Sequence, residues 1–485
     1  MNRPSLTLPA LLVLSLLSFI SSAHAGVSPS SWTQQGGDSA NSGFGAQASF
    51  NGTAVSVVAQ ALTNQQCEQS FIYSSAVNAF FIACWNYDPS GNNNVTMWQL
   101  DAATARVLYA QSVSVYAQTA AGPQLATPAL YEGSLGVMVF LQTDVELWSF
   151  IVDASSGVIA SSSKVAIEGT VLCGTSLTVS PSQSLLLLQS NADVVSYKIT
   201  ASGAADIAWT YSYPNPSIDY LLSAVSEDTQ SSLFIYTFSR QYWGSDVVAL
   251  DIEGHKKWNV FYPVNQTISI ASTPLIAQAR SFVSLYPYGM VVLDNADGSV
   301  ITNGSYLLTQ ATGVTPNLWV APGSSPRVLY ECEVNDGISS TYQICVSDMD
   351  GQPLTPWSGS ILLGCINDTR WTSYGVNSQP MVAGDSNTLV TASFSEYDYL
   401  SCVQVWDLSS GKNLLSYQKG PLTGSLVFGS PFVDALGGLY AVAVNNDFVS
   451  TMVHMTFSNE EQTQEEISGL KEKGGWADVE RVADA

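Results

Sequence analysis

The amino-acid sequence reads as an all-β protein, a β-propeller of eight blades (seven is the alternative) closed by a strand from the N-terminal stretch. Three observations carry that reading. A hairpin of constant pattern recurs along the chain, its period suits a four-stranded blade, and the composition is 46% hydrophobic with only 11% charged residues.

In the hairpin an apolar strand runs into Asp, then a short turn that often holds Gly, then a second apolar or aromatic stretch. The pattern recurs in Met97–Ala110, Leu147–Ala160, Val194–Trp209, Val247–Trp258, Gly289–Ile301, Tyr342–Leu354 and Val403–Leu415. Asp accepts hydrogen bonds from backbone N–H groups two residues on, and Gly supplies the positive φ such turns need.

Asp101 and Asp153 are 52 residues apart, Asp251 and Asp294 43, Asp294 and Asp348 54, and Asp348 and Asp407 59. The 98 residues from Asp153 to Asp251 are two periods, with Thr200 near the midpoint. Periods of roughly 40–50 residues, each carrying four short strands, mark propeller blades. Most units open on a polar or small element ending in proline, as at Pro128, Pro274, Pro316, Pro380 and Pro431. An eighth unit, Ser430 to Phe457, has strands at Gly438–Val444 and Phe448–Phe457 but no terminal hairpin. Thr53–Leu62 is the expected source of its outer strand, because closing the ring across the termini removes an exposed sheet edge.

These repeats resemble the PQQ-repeat (quinoprotein alcohol dehydrogenase-like) propellers, whose blades carry Ala-x-Asp-x-x-x-Gly-x-x-x-Trp. Asp251 is followed by Gly254 and Trp258; Asp153 with Gly157 and Asp407 with Gly411 keep the Asp–Gly step without the Trp; Asp101 is followed by Ala105 and Tyr109. The segment Ser31-Trp32-Thr33-Gln34-Gln35-Gly36-Gly37-Asp38 is similar to the family's opening segment, so the resemblance spans Trp32 to Phe457. It implies a propeller scaffold of that kind. It also raises quinone-dependent oxidation, for which the related dehydrogenases use a vicinal disulfide and Glu, Asn and Asp around calcium. This sequence has no adjacent cysteines, so no PQQ or calcium site is assigned and no cofactor is expected.

The compartment follows from both ends of the composition. Arg3, the apolar run Leu11 to Ile20 and Ala23-His24-Ala25 form a signal-peptide pattern cleaved after Ala25. That divides the chain into a leader, 1–25, a propeller, 26–457, and an acidic tail, 458–485, expected to be disordered or frayed-helical because Gly474-Gly475 interrupts it. A secreted or secretory-pathway protein of this kind has no membrane insertion. Seven cysteines then read as disulfides: Cys67 with Cys84, Cys332 with Cys345, and Cys365 with Cys402, leaving Cys173 over. The sequons at Asn51, Asn94, Asn265, Asn303 and Asn367 read as glycosylated loop positions.

A net charge of −24 repels phosphate backbones, so nucleic acid is not a partner. After leader cleavage only His255 and His454 remain, and His255 sits in a hairpin turn, which leaves no triad and no histidine-rich metal site. Asp294–Gly298 and Asp348–Gly351 are oxygen-rich but read as hairpin turns rather than calcium loops. No catalytic residue is assigned. The expected function is a non-enzymatic scaffold that binds a protein or glycan, with Tyr213–Tyr220 and Arg240–Trp243 as aromatic contact loops. The alternative is an enzyme, either a carboxylate-based glycosidase or a PQQ-dependent dehydrogenase.

Overall fold

A computed structural model describes the strands between residues 54 and 482 and many of the turns that join them; residues 1–53 and several connections lie outside the described residues. Those described residues form eight antiparallel sheets and no helix, so none is long and apolar enough to cross a membrane. In chain order the sheets comprise strands within Gln66–Ser114, Ala129–Ala166, Thr178–Ser212, Tyr220–Pro263, Leu275–Gly304, Leu318–Leu362, Met381–Lys419 and Val427–Ser458. A sheet grows outward from a short first strand, a place that two short strands share in the first, fourth and eighth sheets: Gln66–Cys67 with Ile72–Ser74, Tyr220–Leu222 with Ser226–Asp228, and Val427–Phe428 with Phe432–Val433.

Burial explains why alternation is hard to see in the middle strands. Phe80, Phe81, Ile82, Ala83 and Cys84 are consecutive and all essentially inaccessible, because both faces of that strand are covered by neighbouring sheets. Fourth strands behave differently. Lys256–Pro263 and Ile159–Ala166 show mostly exposed or half-buried side chains, as expected at an outer rim.

Apolar clusters fill the spaces between successive sheets. Phe81, Val139 and Phe150 join the first and second, Tyr131 and Tyr197 the second and third, Phe234 and Leu187 the third and fourth. Val247 packs with Val291 and Phe282 with Tyr330 between the fourth, fifth and sixth. The first sheet also meets the eighth: Phe80 lies 4.6 Å from Tyr440 and 6.0 Å from Phe432, ring centre to ring centre.

The eighth sheet is assembled from both ends of the chain. Ala54–Leu62 pairs antiparallel with Ser450–Ser458, in the place where the other sheets have a strand joined by a hairpin. Within the acidic tail, Asp478–Val482 forms a strand on the outer edge of Ala54–Leu62, and most of the remaining tail lies outside the described residues.

The repeated hairpin is seen in atomic detail. The carboxylate accepts the N–H of Glu253 at Asp251 (3.0 Å), of Ala296 at Asp294 (2.8 Å), of Asp350 at Asp348 (2.9 Å) and of Ser409 at Asp407 (2.7 Å). At the degenerate unit Thr200 substitutes its hydroxyl, accepting from Ser202 N–H at 3.3 Å. Hydroxyl and N–H donors from Ser155 and Ser156 hold the Asp153 carboxyl down to about 2, below the usual carboxylate range.

The turn has a second use, as a grip for the preceding sheet. Trp209 Nε1–H donates to Ile252 O at 2.8 Å, and Trp258 Nε1–H donates to Asn295 O at 2.9 Å. In each case the indole lies where a β-carbon on the hairpin glycine would stand, 2.6 Å away at Gly254 and 2.8 Å at Gly298. Where the Trp is missing, other side chains reach the same hairpin backbone. Gln99 bonds both Gly157 O (2.6 Å) and Ile159 N–H (2.9 Å), Ser163 donates to Ser202 O (2.9 Å), and Arg280 donates to Met349 O (2.6 Å).

This arrangement separates two costs that a glycine substitution otherwise mixes. Gly298→Ala meets both a left-handed φ of 75° and the Trp258 ring at 2.8 Å, whereas Gly157→Ala has a similar φ of 66° with its nearest neighbour at an ordinary 3.6 Å. We expect Gly157→Ala to cost about 1 kcal/mol from backbone strain alone. Gly298→Ala should cost about 2–4 kcal/mol once overpacking is added. Urea midpoints for the two variants check this, and equal losses would remove the docking contribution.

Candidate functional site

The antiparallel order places the Asp hairpins at one end of the sheets. The connections from second to third strand, and from each fourth strand to the next sheet, leave from the other end. Around the third and fourth sheets that other end carries a polar cluster within an otherwise apolar interface.

Asp246 is its centre. It lies in the strand Gly244–Asp251, just ahead of the run Val247–Leu250, and is only 1% exposed. Tyr213 OH donates to its Oδ2 at 2.8 Å and Asn259 Nδ2 donates to Oδ1 at 3.3 Å. The Tyr213 ring stacks on Phe238 with centres 4.2 Å apart, which fixes the hydroxyl over the carboxylate. Tyr236, also 1% exposed, lies on the adjacent strand Leu233–Arg240, and Tyr211 comes from the rim strand Gly203–Ser212.

The hydroxyls of Tyr211 and Tyr236 are buried yet have no hydrogen-bond partner among the described residues. Burial raises the Tyr236 phenol far above its ordinary value, with the nearby Tyr211, Tyr213, Asp246 and Asp193 adding to the effect. Burial and then the Asp246 charge raise Tyr211 as well. Both phenols are therefore neutral donors at physiological pH and not bases. The cluster offers hydrogen bonds beside a carboxylate; it holds no activated nucleophile.

Tyr213 and Arg240, which bound the two aromatic stretches picked out in the sequence, both belong to this end; residues 214–219 and 241–243 lie outside the described residues. Asp246, Tyr211, Tyr236 and Asp193 escaped sequence reading. One signal was available for Asp246, a charged residue leading directly into a run of four apolar strand formers. The partners of that residue are unreadable from sequence because they come from two sheets.

The other buried carboxylates are occupied within the scaffold. Ser74 OH donates to Glu132, and Ser180 OH donates to Glu227 at 2.6 Å, each bond crossing from one sheet to the next. Asp228, the strand neighbour of Glu227, faces the other way and accepts Asn295 Nδ2–H at 2.8 Å, while Ser281 OH holds the Asn295 carbonyl at 2.5 Å. Glu227 and Asp228 thus point into opposite interfaces and do not form the facing pair glycoside hydrolysis requires.

Cys67 and Cys84 form a disulfide between directly opposed strand positions. Cys345 and Cys402 are also disulfide-bonded. The side chains of Cys332 and Cys365, and Cys173, lie outside the described residues, so the remaining expected pairings stay expectations. Asn94 is exposed at the start of the strand Asn94–Asp101. Asn303 falls in the strand Val300–Gly304 with its side chain undescribed, and Asn51, Asn265 and Asn367 are outside the described residues.

His255 is an exposed turn residue whose N–H bonds Asp251 at 2.9 Å. With Asp251 and Glu253 it makes a group whose donor atoms lie within 4.8 Å, the one metal-compatible cluster among the described residues. Asp294, Asp297 and Asp348 use their carboxylates on backbone N–H groups of their own turns. His454, by contrast, is a core residue, stacked on Tyr440 at 4.1 Å and held by burial at a pKa of about 3.

No protein-family model and no curated protein matches this sequence. Among solved structures, the quinohemoprotein alcohol dehydrogenase ADHIIG from Pseudomonas putida HK5 superposes with a TM-score of 0.53 at 10% identity, covering 88% of this chain and 80% of that one. The chain is a β-propeller. BamB from Moraxella catarrhalis gives a TM-score of 0.42 at 12% identity, covering 82% of this chain and 99% of that one. The WD40 domain of SCAP from fission yeast gives 0.46 at 11% identity, covering 83% and 94%.

The buried histidine yields a pH dependence. Its folded pKa, about 3, lies below the unfolded value of 6.5, so the unfolded chain binds the extra proton as pH falls through 6.5. Stability from this group is complete above that value and drains away on acidification. Between pH 7 and pH 5 we expect a loss of about 2 kcal/mol from it. His454→Phe keeps an aromatic ring against Tyr440 and should flatten that part of the urea-midpoint profile. An unchanged profile would assign the acid sensitivity elsewhere.

Proposed function

We propose that this propeller is an eight-bladed, PQQ-repeat-like scaffold of the secretory pathway or extracellular space. It binds a protein or glycan partner at the loop end of its third and fourth blades and performs no chemistry on it. The observation that carries the proposal is the buried Asp246 beside two phenol hydroxyls with no hydrogen-bond partner among the described residues, at the end from which the aromatic segments Tyr213–Tyr220 and Arg240–Trp243 depart. Rigid aromatics with convergent donors suit recognition of hydroxyl- or amide-rich surfaces.

Eight blades are supported by the eight sheets and by the contact of the first with the eighth through Phe80, Phe432 and Tyr440. The pairing of Ala54–Leu62 with Ser450–Ser458 supports closure by the N-terminal strand. The Trp–glycine docking of successive hairpins supports the PQQ-like branch. The Cys67–Cys84 disulfide, the leader pattern and the exposed Asn94 support an oxidising, glycosylating compartment. The scaffold reading is favoured over a glycosidase because the buried Glu132, Glu227 and Asp228 each hold neighbouring sheets together.

The test begins with protein secreted from eukaryotic cells, which should start at Gly26 and lose mass on enzymatic deglycosylation. A glycan array and capture from culture medium should return a ligand that Tyr213→Ala and Asp246→Asn weaken tenfold or more, while both variants still melt cooperatively. Release of reducing sugar from that ligand, or dye reduction on adding PQQ with calcium, would replace the scaffold reading with an enzymatic one.

A further inference from the structure

The eighth sheet differs from the others at its edge. In the first, second, third, fourth, fifth and seventh sheets the pairing of third with fourth strand is broken by a register shift, for instance between Gln99 and Leu100 or between Ala249 and Leu250. Such bulges twist an outer strand and make it a poor template for further pairing. They sit beside the Asp hairpin, where the covalent turn forces the two strands to adjust. Ala54–Leu62 has no such turn. It pairs with Ser450–Ser458 over nine consecutive positions, Ala54 with Ser458 through Leu62 with Ser450, without a shift. Its sequence, Ala-Val-Ser-Val-Val-Ala-Gln-Ala-Leu, carries no charge and no proline. A long, regular, uncharged outer strand is the kind of edge that recruits another strand.

That edge is the one the acidic tail covers. Asp478–Val482 pairs antiparallel with it, Val482 opposite Val55 and Asp478 opposite Ala59. Three of its five residues, Asp478, Glu480 and Arg481, are charged, so the new outermost strand is itself a poor template. Reach is not limiting. Residues 459–477 span up to about 60 Å when extended, while the return along the sheet from Ser458 to the level of Ala59 needs about 20 Å.

We propose that the outer edge of Ala54–Leu62 is a strand-docking site, and that its resident occupant is the chain's own segment Asp478–Val482, held in cis as a removable cover. The segment adds to a sheet that is already four strands wide without it, so its departure leaves the propeller intact and the edge open. The interaction is β-augmentation, in which backbone hydrogen bonds supply the attachment. This inference is independent of the partner-binding face on the third and fourth blades.

The test compares the full chain with a chain ending at Ser458 and with the full-length double variant Val479→Pro and Glu480→Pro, which removes a backbone N–H of either parity from the cover strand. Hydrogen exchange should be slow in the full chain and faster on alternate amides of Ala54–Leu62 in both variants, with Leu439–Val444 equally protected in all three. A synthetic peptide of residues 476–485 should restore the slow exchange to the shortened chain and suppress any self-association it has acquired. Unchanged exchange in both variants overturns the proposal. Cooperative loss of protection throughout the eighth sheet in the double variant also overturns it, since the segment would then be an integral part of the seam rather than a cover.

Discussion

The contact on which this architecture depends is the seizure of one sheet's hairpin backbone by a side chain of the sheet before it. Packing of apolar faces provides most of the burial, but it is non-directional and would tolerate sliding. A hydrogen bond from Trp209 to Ile252 O, or from Trp258 to Asn295 O, is directional and sets the angle at which one sheet meets the next. The Asp-capped turn makes this possible because its side chain satisfies the turn's N–H groups and leaves carbonyls for the neighbour. Glycine then leaves room for the indole.

Seen this way, the decay of the repeat in sequence is not decay of the interaction. Gln99 makes two bonds to the second sheet's hairpin, Ser163 one to the third's, and Arg280 one to the sixth's, where it also pairs with Asp350 at 2.6 Å. The requirement is a donor that reaches a carbonyl, and several residue types meet it. The buried Ser–Glu bonds add a second layer at two of the same interfaces, Ser74 with Glu132 and Ser180 with Glu227. A carboxylate removed from water is tolerated there because hydroxyls from the adjacent sheet reach it, Glu227 accepting from Ser182 as well as Ser180.

This also marks where sequence reading succeeds. Hairpins are local, so Asp251, Gly254 and Trp258 announce themselves within eight residues, and the period follows by counting. Cys67 and Cys84 flank one hairpin and are legible for the same reason. The Tyr213–Asp246 cluster is not local: its members come from five strands of two sheets, and only folding brings Asp193 and Asp246 into one neighbourhood. The strand at Asp478–Val482 was illegible for a different reason. Five residues with three charges and a preceding glycine pair have no strand signature of their own, and what makes them a strand is the edge they meet.

The seam between the chain's ends is where these considerations converge. Other sheets are held together by covalent turns, whereas the eighth joins residue 54 to residue 458 and bears the full loop-closure entropy of the chain between them. The surface it docks on is correspondingly well prepared. Phe71, Tyr73 and Phe80 of the first sheet form an aromatic face against Phe432 and Tyr440, and the Cys67–Cys84 disulfide ties the strand that carries Phe80 to Gln66–Cys67 beside it. Closing that 17-residue loop in the unfolded chain is worth about 3 kcal/mol on the chain-entropy account. His454 lies within the same seam, stacked on Tyr440 and paired in register with Val58 of the closing strand. A neutral histidine fits there; charging it would carry the cost of desolvation. Burial of His454 therefore makes the pairing of the chain's two ends sensitive to acid.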